Sequence, residues 1–534
     1  MGTPSGGMTR RSVALGAALL FLNASITFEN VWPTPAIAWR GKLSLELAIS
    51  VLVMALAARG RMLASKTLGW FSAIWTLLVA GRYAEVTAPA LYGRDVNLYW
   101  DLRFVPDVVA MATRVAPLWL IVVCVAAAGS VLALLYVLVR AASFTIAAAA
   151  CDWRQRRLLI VASALVTLAF AGQQVRGRTP SESAFAVPVT VTYARQVRFV
   201  AQAMSGSAPV GASPAMDSDL SRVRGADVFL VFIESYGAVS FDRPEIAERL
   251  AAARTQLETA VRAGHRDAVS AYVESPTFGG SSWLAHLSLL SGIDVRDPGT
   301  NARLMTERRD TLVRVFARRG FRTVALMPGL RQSWPEGMFY GFDELYGARR
   351  LAYRGPEFGW FSIPDQYSLE RLDALEVSRS PRAPLFVFFP TLSTHFPFNP
   401  TPPYQPDWPR MATERPYDGP AIVRAYAREP DWMNFTPGYV DAMSYDLTTL
   451  AGYLERHANP DLVMILLGDH QPPALVTGQG ASWDVPVHVI TSRTSIRERL
   501  LARGFRPGFT PYRPSLARMH ALLPILIEAF GDPE

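Results

Sequence analysis

The chain has 534 residues, half of them apolar, with a positive mean hydropathy and a formal net charge of +8. That length holds about two to four structural units, and nearly all of the long uncharged runs lie before residue 175. The basic excess sits largely in short loops between those runs and comes with no zinc-finger spacing or aromatic platform, so nucleic acid is excluded as a partner and anionic membrane lipid is expected instead.

In chain order, five stretches have the apolar character of membrane spans: 12–28, 43–58, 67–84, 115–139 and 157–173. A spanning helix needs about 20 residues, with about 17 tolerable, which makes the second and fifth short. Arg10 and Arg11 before the first run give it the look of a signal peptide. Asn23, Glu29 and the further spans that follow favour a retained helix. The loops after the second and fourth spans carry Arg59, Arg61 and Lys66, and Arg140, Arg154, Arg156 and Arg157. Positive loops stay cytoplasmic, whereas the third–fourth loop mixes Arg94 and Arg103 with Asp95, Asp101 and Asp107. Within it, 91–104 (LYGRDVNLYWDLRF) reads as an interfacial anchor at the outer face. The expected topology is multi-pass in a bacterial-type inner membrane, with everything after residue 175 periplasmic or extracellular. Both cysteines, Cys124 and Cys151, precede the exported part, which therefore folds without disulfides.

Residues 174–221, rich in Ser, Ala, Pro and Gly, read as a linker with little regular structure. Beyond it, β-branched and aromatic runs at 226–234, 268–275, 322–328, 385–391, 461–469 and 485–491 alternate with helical stretches at 244–263, 310–319, 436–457 and 515–530. This is the pattern of an α/β domain, and strands apolar throughout imply a mostly parallel sheet covered on both faces. The expected organisation is a membrane region over 1–173, a linker over 174–221 and a catalytic domain over 222–534.

Polar residues gather where these strands stop. The first ends in Glu234-Ser235-Tyr236-Gly237, the fourth runs into Ser393-Thr394-His395, and the fifth ends in Gly468-Asp469-His470. Ligands of open α/β sheets bind beyond the carboxyl ends of strands. Glu234, Asp469 and His470 make a mixed O/O/N donor set suited to one divalent ion, Zn or Mn. The stretch GGSSWLAHLSLLSG (279–292) adds a hydroxyl at a helix start, where N–H groups and the helix dipole favour an anion. A Ser at such a junction is more often a simple cap, and each acid alone has an ordinary structural reading; their meeting at one end of one sheet argues for chemistry. From these residues alone, Ser281 and Ser282 are both candidates.

The motifs VFLVFIESYG, GGSSWLAHLSLLSG, GFDELYG (341–347), STHFPF (393–398) and LLGDHQPP (466–473) occur in the order of the sulfatase-like branch of the alkaline phosphatase superfamily. With five spans before such a domain, the chain resembles lipoteichoic acid synthase and the phosphoethanolamine transferases. The resemblance implies an alkaline-phosphatase-like domain in which Glu234, Ser282, Asp469 and His470 hold the metal. Ser282 would be the nucleophile, lying ten residues before Gly292 as in sulfatases. His395 would contact the transferred phosphate or assist the leaving group, with His488 and His286 as further substrate contacts and Asp446 in a structural role. The formylglycine signature is missing, since Ser282 is followed by Trp283-Leu284-Ala285-His286. The implied activity is a metal-dependent transfer of a phosphoethanolamine- or phosphoglycerol-like group from an anionic phospholipid head group to a lipid or envelope glycan, by a monomer. Two alternatives stand beside it: a phosphodiester hydrolase, and a non-catalytic membrane-anchored binding module.

Overall fold

The computed structural model describes residues 5–533 except 107–108, 111–112, 114–115, 176–182, 206–209, 333, 335, 360 and 458–460. Asp107, the first residue of the fourth expected span and two pieces of the expected linker lie outside the described residues. The chain folds as two compact units, Met1–Ser205 and Gly206–Glu534.

The first unit is helical: α1 (Ser5–Thr27), α2 (Leu45–Ala58), α3 (Ser65–Tyr92), α4 (Leu118–Ala149), α5 (Trp153–Val175) and α6 (Val189–Ser205). Helix α4 packs against α1 and α3, and α2 against α5, around Leu22, Val51, Trp75, Ile146 and Leu159. Among the described residues, two helices, α4 and α5, are long and apolar enough to cross a membrane. Each of the other expected spans overlaps a helix, but α2, with 14 residues, reaches only about 21 Å at 1.5 Å per residue. The polar residues of the first span have local uses. Asn23 accepts from Ser44 N and donates to Lys42 O, and Glu29 pairs with Lys42 at 2.7 Å.

Helix α6 corrects the expectation of an irregular linker. Val189, Thr192, Tyr193 and Gln196 follow the i, i+3, i+4, i+7 spacing of one helical face. That face is anchored: the Tyr193 hydroxyl donates to Leu77 O, Thr192 to Glu85, and Gln196 Nε2 to Val96 O. The Ser, Ala and Pro content that suggested a linker concealed this short amphipathic run.

The second unit is built on a nine-stranded mixed sheet. Its main strands are β1 (Asp227–Ile233), β2 (Asp267–Glu274), β3 (Arg322–Met327), β4 (Glu344–Gly347), β5 (Leu385–Pro390), β6 (Leu462–Gly468) and β7 (Asp484–Thr491). In space they run β2-β7-β6-β1-β5-β3-β4. All pairings from β6 to β4 are parallel, as expected; β7 is antiparallel to both of its neighbours. Side chains along β1 alternate between faces, Val228, Leu230 and Phe232 entering one apolar layer and Phe229, Val231 and Ile233 the other. The first layer is closed by α8 (Ser282–Ser291) and α11 (Leu522–Phe530), the second by α7 (Pro244–Ala263), α9 (Asp365–Leu372) and α10 (Thr436–Arg456). Apolar residues four apart make the buried stripes, for example Ile246 and Leu250 on α7 and Tyr439, Met443 and Leu447 on α10. Each such side chain contributes about 1.5–3 kcal/mol on burial. Pro244 opens α7 at a position where its missing N–H costs nothing.

Candidate active site

Strands β6, β1 and β5 are parallel neighbours, with Ile233 opposite Gly468 and Phe232 opposite Pro390. The residues that follow them, Glu234, Asp469-His470 and the loop 391–395, thus emerge side by side at one edge of the sheet. Two glycines let the turns close on each other. A Cβ on Gly468 would lie 1.8 Å from Tyr236 O, and one on Gly237 would lie 1.9 Å from Gln471 Oε1; backbone and side chain occupy the space a larger residue needs.

The glycine turn comes in from β2. Gly279 and Gly280 take positive φ, of 66° and 144°. The turn is tied down where Gly279 N donates to Gln471 O and the Thr277 hydroxyl donates to Gly280 O. Ser281 is the N-cap of α8 in the left-handed region, and its hydroxyl makes no capping bond. Ser282 is the first helical residue; its hydroxyl donates to Glu234 Oε2 at 2.9 Å and lies 3.2 Å from His470 Nε2.

Glu234, Asp469 and His470 offer ligand atoms that all lie within 4.8 Å of one another, and all three residues are buried. The His470 Nδ1 nitrogen lies 2.7 Å from Gln471 O, a partner that can only accept, so Nδ1 carries the proton and Nε2 keeps its lone pair for the cluster. Asp469 Oδ1 accepts from Ser235 N and His470 N, while Oδ2 is buried with no hydrogen-bond partner. Burial, and then the charge of Asp469, push the Glu234 carboxyl well above the ordinary range. Two buried acids, an unused carboxylate oxygen and an imidazole lone pair together fit a divalent cation of the Zn or Mn type.

His395 follows β5 and lines a pocket with Phe361, Ser362, Leu392 and Phe398. Its Nδ1 faces Phe396 O at 2.7 Å, and Phe361 meets its ring edge-on at 4.9 Å. Burial lowers its proton affinity, opposed in part by the bond to Phe396 O. The other two predicted contacts go elsewhere. His286 sits in the core against Phe232 and Phe388, at ring separations of 4.6 and 5.3 Å, with Nε2 unpartnered; burial pushes it down to about 4. His488 lies in mid-strand on β7, opposite Leu466 and Ser270. Both its nitrogens are engaged there, Nδ1 with Ser270 at 2.6 Å and Nε2 with the Tyr236 hydroxyl at 3.1 Å.

Some contributors carry no mark in the sequence. Thr391 Oγ1 accepts from Glu234 N and donates to Asp446, Thr394 donates to Glu234 O, and Asp365 accepts from Leu392 N and Ser393 N. Asp446 thus carries the structural part expected of it. Asp365 has no sequence signal, since an acid in the first turn of a helix is commonplace. In GFDELYG, Asp343 accepts from the backbone and hydroxyl of Thr323, which fixes β3 against β4.

No protein-family model and no curated protein matches the sequence. Among solved structures, the lipooligosaccharide phosphoethanolamine transferase EptA of Neisseria meningitidis matches 91% of this chain and 89% of its own, at 15% identity and a TM-score of 0.43. The lipoteichoic acid synthase LtaP of Listeria monocytogenes matches 54% of this chain and 69% of its own, at 13% identity and a TM-score of 0.37. An alkaline phosphatase superfamily protein of Vibrio parahaemolyticus matches 62% of this chain and 74% of its own, at 14% identity and a TM-score of 0.39. The solved structures to which this chain is similar therefore include members of the branch that its motifs resemble.

Proposed function

We propose that the chain is a membrane-anchored, metal-dependent transferase of phosphoethanolamine- or phosphoglycerol-like groups, working on lipid or glycan at the outer face of a cell membrane. One observation carries this reading: a serine hydroxyl at a helix start, 2.9 Å from Glu234 Oε2 and 3.2 Å from His470 Nε2, beside the unused oxygen of Asp469. Glu234, Asp469, His470 and Ser282 would hold one Zn or Mn ion, whose charge would lower the Ser282 pKa and polarise a bound phosphoryl oxygen.

Ser282 Oγ attacks the phosphorus of a lipid-borne phosphodiester, the ester oxygen of the lipid departs, and a phosphodiester of Ser282 forms. An acceptor hydroxyl then displaces Ser282 by the same in-line chemistry. Glu234 orients the serine hydroxyl by accepting its hydrogen bond. The first N–H groups of α8 face the anion, and His395 contacts the transferred group or gives a proton to the departing oxygen. Five spans with both loop-borne arginine clusters inside keep this site at a leaflet that supplies the donor.

Two measurements test the reading. Purified protein is expected to hold about one Zn or Mn per chain, lost in Asp469→Ala; protein that binds no divalent ion refutes it. Lipid and glycan extracts of cells making wild type or Ser282→Ala are then compared by mass spectrometry. Absence of any head-group-modified product refutes the transferase, and release of the head group to water instead assigns a hydrolase.

A further inference from the structure

Two acids outside the cluster converge on the loop that carries His395. Asp365, at the start of α9, and Asp446, on α10, are each 1% exposed. Asp365 accepts three hydrogen bonds from backbone: Leu392 N reaches both oxygens, at 2.9 and 3.0 Å, and Ser393 N reaches Oδ2 at 2.7 Å. Asp446 Oδ2 takes the Thr391 hydroxyl at 3.0 Å and lies 3.2 Å from that of Thr394. Thr394 has one proton, and Glu234 O, at 2.6 Å, is the nearer acceptor for it. Asp446 Oδ1 is buried with no donor, and the carboxyl of Asp365 is within hydrogen-bonding reach of Asp446.

Every partner of this pair is neutral, and two buried carboxylates in contact cannot both stay charged. Asp365, with two backbone N–H donors making three contacts, is the better anion; Asp446, with one firm donor, is the better acid. We infer that Asp446 is protonated and donates to Asp365, and that the pair acts as a positioning device for the site. Thr391 passes its hold to Glu234 N, and the Asp365 bonds fix the loop that brings Thr394 to Glu234 O and leads into His395. The direction of the proton affinities agrees, since burial and the neighbouring acid lift Asp446 well above the carboxylate range.

This inference rests on the activity proposed above and is tested with full-length protein in detergent. The variants are Asp446→Asn, Asp446→Ala and Asp365→Asn, and each is measured for metal content, melting temperature and turnover of bis(4-nitrophenyl) phosphate. An asparagine at 446 keeps the N–H toward Asp365 and an oxygen for Thr391, so Asp446→Asn is expected to retain kcat within about threefold. Asp365→Asn turns an amide donor toward backbone donors, and Asp446→Ala removes the tie. Both are expected to lose about 100-fold in kcat, the scale of an ångström of misplacement, while keeping the metal. A space-filling role would treat asparagine alike at both positions, so equal behaviour of Asp446→Asn and Asp365→Asn overturns the assignment, as does failure of Asp446→Asn to outperform Asp446→Ala. If wild type turns over no phosphodiester, the activity reading fails on its own. The melting temperatures then judge the pair by the same ranking, Asp446→Asn above Asp365→Asn.

Discussion

Replacing His286 by Leu tests whether that ring belongs to the substrate or to the core. The ring is buried between Phe232 and Phe388, and its Nε2 has no partner. A buried polar atom without a hydrogen bond costs about 1–3 kcal/mol, and Leu is close in volume, so a gain of about 1 kcal/mol is expected at pH 7.5. The gain grows in acid. Burial lowers the proton affinity of His286 from 6.5 to about 4. The unfolded chain therefore takes up a proton as pH falls through 6.5 while the folded chain does not, and stability drains away until about pH 4. That window is worth roughly 3 kcal/mol, and the Leu variant is free of it. Thermal melts of both proteins at pH 7.5 and pH 5, with phosphodiester turnover and metal content measured alongside, read the effect. The variant should melt higher at both pH values, by a wider margin at pH 5, with turnover unchanged. Loss of turnover with metal retained, or a lower melting temperature at pH 5, would refute the reasoning and return His286 to the site.

His488→Leu should behave in the opposite way: it strands the Tyr236 hydroxyl, while Ser270 keeps Gly508 O as its acceptor, and it should cost about 1–3 kcal/mol, seen as a lower denaturation midpoint with metal content per folded chain unchanged. Ser281→Gly, at φ 65° with no capping bond, should gain up to about 1 kcal/mol and keep activity, whereas Ser282→Gly should abolish turnover. Ser282→Thr keeps the hydroxyl and should hold turnover within about tenfold, as a rate assay will show. Gly468→Ala drives a Cβ into Tyr236 O and should lower metal occupancy, measured by elemental analysis, even in the fraction that folds.

How much of the fold and site is legible in the sequence depends on what each residue needs from the rest of the chain. Glu234 and Asp469-His470 are readable because apolar strands ending in acids imply their own geometry: parallel neighbours put their carboxyl ends together whatever the loops do. Ser282 is readable only through its spacing to Gly292, since a cap and a nucleophile occupy the same place. His286 and His488 go astray because a ring's destination depends on which face its element buries. His488 sits in the middle of β7 between Ser270 and the Tyr236 hydroxyl, partners that no local pattern announces. The α6 helix is hidden because its stabilising partners, Leu77, Glu85 and Val96, lie about a hundred residues away. Asp365 is invisible for a related reason, its worth residing in the backbone of a loop from another strand.

The interlocked glycines have a consequence for ion uptake. Because a Cβ on Gly468 would meet Tyr236 O and one on Gly237 would meet Gln471, the two backbones that carry Glu234 and Asp469 pack closely against each other. Burial and the charge of Asp469 hold the Glu234 carboxyl well above the ordinary range, so a cation entering the cluster competes with a proton there. Ion uptake should consequently release a proton, tighten as pH rises, and raise the melting temperature of this domain.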